Sequence, residues 1–209
     1  MSKIYMFLMF FIVLFNNNTA YSSELFEQRL NAMFDGRGNF KPWKQDEKVK
    51  CFFDFGEKYT QVAKEKASLL AKELNLDLSF GKKDINCSVI VRENAFRAAL
   101  IYGDELFKPY FKDDKKYFAY LKNEAKNSSY EIYLPLFINN QNISLSVTLM
   151  SSFKLKNDFL SEDEFIEYII TRIFFPDLNL SFDEYEKKHF FLPLSNNLDL
   201  KIAKNLYSK

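Results

Sequence analysis

The fold is decided by residues 49–93, VKCFFDFGEKYTQVAKEKASLLAKELNLDLSFGKKDINCSVIVRE, which hold strand patterns, a helix pattern and both cysteines of the chain. Alternating bulky residues predict a first strand at Val49–Asp54. From Glu57 to Leu74, apolar residues recur every three or four positions, which predicts one face of a helix. Asn75 suits the end of that helix because asparagine tolerates the left-handed conformation.

Four further segments have the sequence pattern of strands. Alternation returns in Leu76–Phe80, and Cys87–Val91 is the apolar run of a buried strand. Residues Tyr130–Ile138 and Ile143–Leu149 predict a hairpin, in which the second strand alternates strictly between apolar and polar residues. Pro135 cannot donate a ladder hydrogen bond, so it marks the first hairpin strand as an edge or bulged strand.

Helical spacing outside this unit predicts helices at Ser23–Phe34, at Asn94–Tyr102 and at Ser161–Phe175, where the sequence SEDE forms a capping box. A last helix is expected to begin after a cap at Asn196 or Asn197. The order of elements predicts an α+β fold, with a mixed sheet of about five strands and packed helices, in one globular domain over residues 23–209.

Residues Met1–Ser22 are typical of a secretory signal peptide. Lys3 supplies the positive end, an unbroken apolar run follows, and Ala20-Tyr21-Ser22 fits a small-x-small cleavage site. The run is short for a membrane span, which needs about 20 residues. We therefore expect a periplasmic or secreted protein with no stable membrane span after cleavage, and an uncleaved N-terminal anchor is the alternative.

The two cysteines, Cys51 and Cys87, are expected to form a disulfide, because both lie on predicted strands of one unit in an exported chain. Two separate buried thiols are the alternative. Removal of Lys3 with the signal takes the formal net charge from +1 to 0. A neutral chain argues against a nucleic-acid partner held by bulk charge.

Aromatic residues and lysines interleave between Leu106 and Lys126, a combination that can bind single-stranded nucleic acid or a membrane surface. Acidic residues dilute it, so the preferred interpretation is an aromatic inner face beneath a solvated lysine face. Trp43, the only tryptophan, is expected to anchor the edge of the core.

The residues that carry most enzyme chemistries are missing. The chain has one histidine, His189, and no His-Glu-x-x-His pair, so a catalytic zinc of the usual peptidase type lacks its ligands. The five glycines form no phosphate-binding loop. We expect no catalytic residues, metal or cofactor, and the candidate site residues that remain are Glu167, Thr171, Arg172 and His189.

The C-terminal segment Leu194-Ser195-Asn196-Asn197-Leu198-Asp199, followed by Ile202 and Leu206-Tyr207, resembles the closing helix of zincin-type metallopeptidases. It also resembles the ending of a family of exported proteobacterial proteins of unknown function with a zincin-like fold, in which a tryptophan likewise precedes a strand, a helix and a strand. The resemblance implies a zincin-like fold over residues 40–207. At the place of the metal-binding helix, Ser161–Phe175, this chain has no histidine, which implies that the peptidase chemistry is lost.

Two functions from different classes follow. The first is an exported, non-catalytic, pseudo-peptidase-like protein that binds a protein or peptide partner through the hairpin edge or the aromatic region at residues 107–120. The second is a carboxylate-dependent hydrolase of the cell envelope. Replacing His189 and Glu167 with alanine is expected to separate them, since only the hydrolase would lose its activity.

Overall fold

The computed structural model describes residues 24–31, 40–93, 113–127, 131–138, 142–151, 161–175 and 191–208. The strands are β1 (Val49–Asp54), β2 (Leu78–Phe80), β3 (Cys87–Arg92), β4 (Glu131–Ile138) and β5 (Asn142–Ser151). The helices are α1 (residues 24–31), α2 (Glu57–Glu73), α3 (Asp114–Asn127), α4 (Glu162–Phe174) and α5 (Asn197–Tyr207). The predicted signal peptide and the predicted helix at Asn94–Tyr102 lie outside the described residues.

The strands form one sheet in the order β2-β1-β3-β5-β4. β1 pairs in parallel with β2 and with β3, and β5 pairs in parallel with β3. β4 is antiparallel to β5 at the far edge, so the predicted hairpin and the edge position of Pro135 are confirmed.

The predicted fold class is wrong. We expected an α+β fold, whereas β2, β1 and β3 are parallel strands that carry packed helices in a mixed α/β unit. Residue alternation has the same period of two in parallel and antiparallel strands, so it cannot assign strand direction. The helical connection between β1 and β2 was the available signal, because parallel neighbours need a long crossover.

Local signals in the sequence identified the helix ends correctly. Asn75, after α2, has φ of +56°. The amide of Glu164 donates to Ser161 Oγ at 3.2 Å, which completes the N-cap of α4, and Asn196 caps α5 by accepting from the amides of Leu198 and Asp199. Short polar side chains at these positions bind backbone amides that the first helical turn leaves without partners.

Trp43 anchors the core, as expected. It is 1% exposed, and its indole Nε1 donates to the Ile173 carbonyl at 2.8 Å. Tyr207, in the last turn of α5, accepts from the Trp43 amide and donates its hydroxyl to the Phe174 carbonyl at 2.7 Å. The start of the described core is therefore tied to α4 and α5 through one hydrogen-bonded cluster.

Cys51 and Cys87 form the predicted disulfide. They are register partners on the parallel strands β1 and β3, and both are almost fully buried. A disulfide is typical of proteins that fold in an oxidising compartment and is consistent with export.

Replacing both cysteines with alanine is expected to lower the free energy of unfolding by about 3 to 4 kcal/mol, because the 36-residue separation gives a sizeable loop-closure entropy. Urea unfolding of oxidised wild type and of the double variant measures the difference. A difference below about 1 kcal/mol would show that the bond contributes little to the stability of the sheet.

Candidate functional site

The candidate site begins at the turn that joins β1 to α2. Gly56 has φ of +76° and ψ of 168°, a conformation that is open almost only to glycine. Thr60 Oγ1 accepts from the Phe55 amide at 3.0 Å and donates to the Gly56 carbonyl at 2.7 Å. Asp54 Oδ1 accepts from the Gly56 amide at 3.3 Å. The turn is thus fixed by side chains on both sides of it.

The carboxyl ends of β1 and β3 are neighbours in the sheet, and the chain leaves them in opposite directions. β1 continues through α2 to β2 on one side, whereas β3 leads to the β4–β5 hairpin on the other side. In open α/β sheets, ligands bind outside the carboxyl ends of parallel strands at such a reversal of strand order. The topology therefore favours a ligand-binding site in the space next to Phe55 and Val91.

A mainly apolar pocket of about 360 Å³ occupies that space. Its walls come from the turn after β1, the first turn of α2, the end of β3 and the first two turns of α4. The volume lies at the lower end of the range for small-ligand sites, which is about 300 to 1,000 Å³. The lining residues are Phe55, Gly56, Tyr59, Val91, Arg92, Glu93, Glu162, Phe165 and Ile166.

One side of the pocket carries the ion pair of Asp54 and Arg92, whose Oδ2 and Nη2 atoms are 2.7 Å apart. The hydrogen bond from Arg92 lowers the pKa of the Asp54 carboxyl below its ordinary value, and the Gly56 amide adds to the effect. Asp54 is therefore held in its ionised form at neutral pH.

The opposite side carries Glu162 at the start of α4. The Tyr59 hydroxyl donates to one carboxylate oxygen in a short hydrogen bond, and Lys58 Nζ lies 3.1 Å from the other. These two contacts, that from Tyr59 first, lower the pKa of Glu162. Lys66 Nζ also binds Asp163 at 2.9 Å, so α2 and α4 are joined beside the pocket by two ionic contacts.

Glu167 lies away from this pocket and binds backbone. It is fully buried on α4, and its Oε1 accepts from the amides of Leu194 at 2.6 Å and Ser195 at 2.9 Å. The Ser195 hydroxyl donates to Oε2 in a short hydrogen bond. A carboxylate whose two oxygens are occupied in this way holds the segment before α5 in place.

Two of the other three candidate residues, Thr171 and Arg172, lie on α4 with Glu167. Thr171 is fully buried on α4, and no hydrogen-bond partner reaches its Oγ1 in the described part of the chain. Arg172 is 7% exposed in the last turn of α4. His189 lies outside the described residues.

A second buried carboxylate was not singled out from the sequence. Asp199, fully buried in the first turn of α5, accepts from Arg29 Nε at 3.0 Å and Nη2 at 3.1 Å, and from the Leu192 amide at 3.0 Å. Asp199 and Glu167 thus bind the same short segment, residues 192–195, from two sides.

The residues at 24–31, 40–93 and the later described ranges hold no cluster of three or more histidine, cysteine or acidic side chains that could bind a metal ion. None of the helices in these ranges is long and apolar enough to cross a membrane. Comparisons with protein-family models, curated proteins and solved structures gave no match. The zincin-like resemblance therefore stays an expectation from the C-terminal motif.

The pocket residues were missed because they come from four elements that sequence periodicity treats separately. One signal was present: a glycine directly after a buried strand and before a helix, and charged residues, Arg92 and Glu93, directly after another. Such residues mark the ligand-binding edge of a sheet only when both strands are known to be parallel.

Proposed function

We propose that the protein is an exported, non-catalytic binding protein that accepts an apolar side chain of a protein or peptide partner in the pocket beside Phe55 and Val91. The observation that carries the proposal is the position of this apolar pocket at the carboxyl ends of the parallel strands β1 and β3. Phe55, Phe165 and Ile166 are each at most 6% exposed, so the walls are held by core packing.

The chemistry of the rim favours binding over hydrolysis. A carboxylate-dependent hydrolase needs a general acid whose pKa is raised towards neutrality. The pKa values of Asp54 and Glu162 are both lowered, by Arg92 in the first case and by Tyr59 and Lys58 in the second. Neither carboxylate therefore has the raised pKa of a general acid.

Filling the pocket tests the proposal. Peptides that bind the wild-type protein are selected from a display library, and the strongest binder is synthesised with a fluorescent label. Val91→Trp places an indole within the pocket and is expected to weaken binding of this peptide at least tenfold. Val62→Trp is the matched control, because Val62 lies on α2 outside the pocket and is 37% exposed.

The expected result is loss of binding in Val91→Trp, with unchanged binding in Val62→Trp and unchanged urea midpoints in both. Equal binding by the two variants would show that the pocket is not the site. Mass spectrometry of the peptide after long incubation addresses the hydrolase, since cleavage that is abolished in Glu162→Gln would contradict a non-catalytic function.

A further inference from the structure

A second surface lies along β1 where its neighbour β2 ends early. β2 ends at Phe80, which is the register partner of Cys51, whereas β1 continues to Asp54. The three residues of β1 beyond Cys51 extend about 10 Å at the usual rise of a strand. Among the described residues, no strand lies beside this part of β1 on the β2 side.

The hydrogen-bond pattern shows which main-chain groups face this open side. The Val49 amide donates to the Asp77 carbonyl, and the Cys51 carbonyl accepts from the Gly81 amide. The main-chain amides and carbonyls of the odd-numbered residues of β1 therefore point towards β2. Lys50 carbonyl accepts from the Asn86 amide, so even-numbered residues point towards β3. By this alternation, the amide and carbonyl of Phe53 point towards the open side, and no residue in 40–93 or elsewhere in the described chain bonds either group.

A groove of about 480 Å³ lies directly beside these two groups. It is lined by residues 51–54 of β1, by the end of β2 and the turn after it, and by two residues of α2. The lining residues are Cys51, Phe52, Phe53, Asp54, Thr60, Lys64, Phe80, Gly81 and Lys82. An unpaired strand edge within a groove is the geometry by which sheets bind an extended peptide as an added strand.

The charges at the groove specify the kind of peptide. Lys64 Nζ lies 5.7 Å from the centroid of the Phe80 ring, and Lys82 is exposed at the far end. Asp54, the one acidic residue among the described residues that line the groove, is paired with Arg92. The groove therefore presents two lysines that form no salt bridge in the described chain. Its carboxylate, that of Asp54, is already neutralised by Arg92.

We propose that the open edge of β1 binds an acidic, extended peptide segment, which continues β2 as an added strand and pairs with the main chain of Phe53. Acidic side chains of the segment reach Lys64 and Lys82. This site is separate from the apolar pocket, and peptide binding at the edge of β1 does not require that the pocket is occupied.

The probe is the heptapeptide Glu-Val-Glu-Val-Glu-Val-Glu with both termini blocked. The control peptide of opposite charge has lysine in place of each glutamate. Titration into the ¹⁵N-labelled protein at low salt is expected to shift the amide signals of Phe53, Gly81 and Lys82, and to move the Phe53 amide proton downfield. Binding is expected to weaken as salt rises, since the lysines are partly exposed.

Variants of the protein and variants of the peptide test the proposed site. Lys64→Glu/Lys82→Glu is expected to weaken binding at least tenfold, whereas Lys72→Glu/Lys201→Glu, an equal change of charge at exposed sites outside the groove, changes it less than threefold. N-methylation along the peptide is expected to weaken binding about three- to tenfold at the position whose amide reaches the Phe53 carbonyl, and to have little effect at the two adjacent positions, whose amides face away from β1.

Equal binding of the lysine peptide, an equal loss in the control double variant, or N-methylation that weakens binding equally at adjacent positions would each overturn the proposal. Val91→Trp is expected to bind the heptapeptide as the wild type does. The test of the apolar pocket and the test of the β1 edge can therefore fail independently of each other.

Discussion

Replacing Glu167 with alanine is expected to lower the free energy of unfolding by about 4 to 5 kcal/mol, because it removes a fully buried carboxylate that accepts three hydrogen bonds. The donors are the amides of Leu194 and Ser195 and the hydroxyl of Ser195. Glu167→Gln keeps one carbonyl oxygen for the amides and is expected to cost about 1 to 2 kcal/mol. Urea unfolding of the three proteins measures both differences.

This prediction changes how a Glu167 variant is interpreted. Loss of function in Glu167→Ala cannot by itself indicate catalysis, because the substitution removes the support of the segment before α5. If Glu167→Ala were as stable as the wild type while a hydrolytic activity disappeared, the carboxylate would be catalytic and its structural role would be wrong.

Replacing Asp199 with alanine is expected to cost about 3 to 5 kcal/mol in the free energy of unfolding, since it removes a fully buried carboxylate that binds the Arg29 guanidinium and the Leu192 amide. Asp77→Ala is the matched control. Asp77 is 63% exposed and lies 3.6 Å from Lys48, so its loss is expected to cost less than about 1 kcal/mol.

Thermal and urea unfolding of the two aspartate variants test this contrast directly. Similar costs for Asp199→Ala and Asp77→Ala would contradict the buried pair. The double variant Glu167→Ala/Asp199→Ala is expected to lose less than the sum of the single losses, because both carboxylates hold residues 192–195 and the first loss already frees the segment.

Local chemistry was read correctly from the sequence wherever a feature depends on neighbours in the chain. The positive φ at Asn75 and the caps at Ser161 and Asn196 are of this kind. They follow from the side chain and from the few residues next to it. The pairing of Cys51 with Cys87 also followed, because both strands were recognised and only two cysteines were present.

Features that depend on strand direction or on distant residues could not be read in this way. The pocket requires Phe55, Val91 and Ile166 to meet, and their meeting depends on the parallel pairing of β1 with β3. Glu167 was predicted as a candidate site residue, whereas its carboxylate binds the amides of Leu194 and Ser195. Its neighbours on α4 are apolar nearly all round, which was the available sign that it is buried.

The contacts between the two ends of the described chain constrain the order in which the protein can be completed during synthesis. The Trp43 amide meets the Tyr207 hydroxyl across 164 residues, and Arg29 meets Asp199 across 170. At about 5 to 20 residues per second, a ribosome needs roughly 8 to 34 seconds to make such a stretch. The β1–α2–β2–β3 unit can pair locally during that delay, whereas the binding partners of Trp43 and Arg29 on α5 do not yet exist. A nascent chain halted before α5 would therefore lack the Tyr207 hydroxyl, which joins the Trp43 amide to the Phe174 carbonyl at the end of α4.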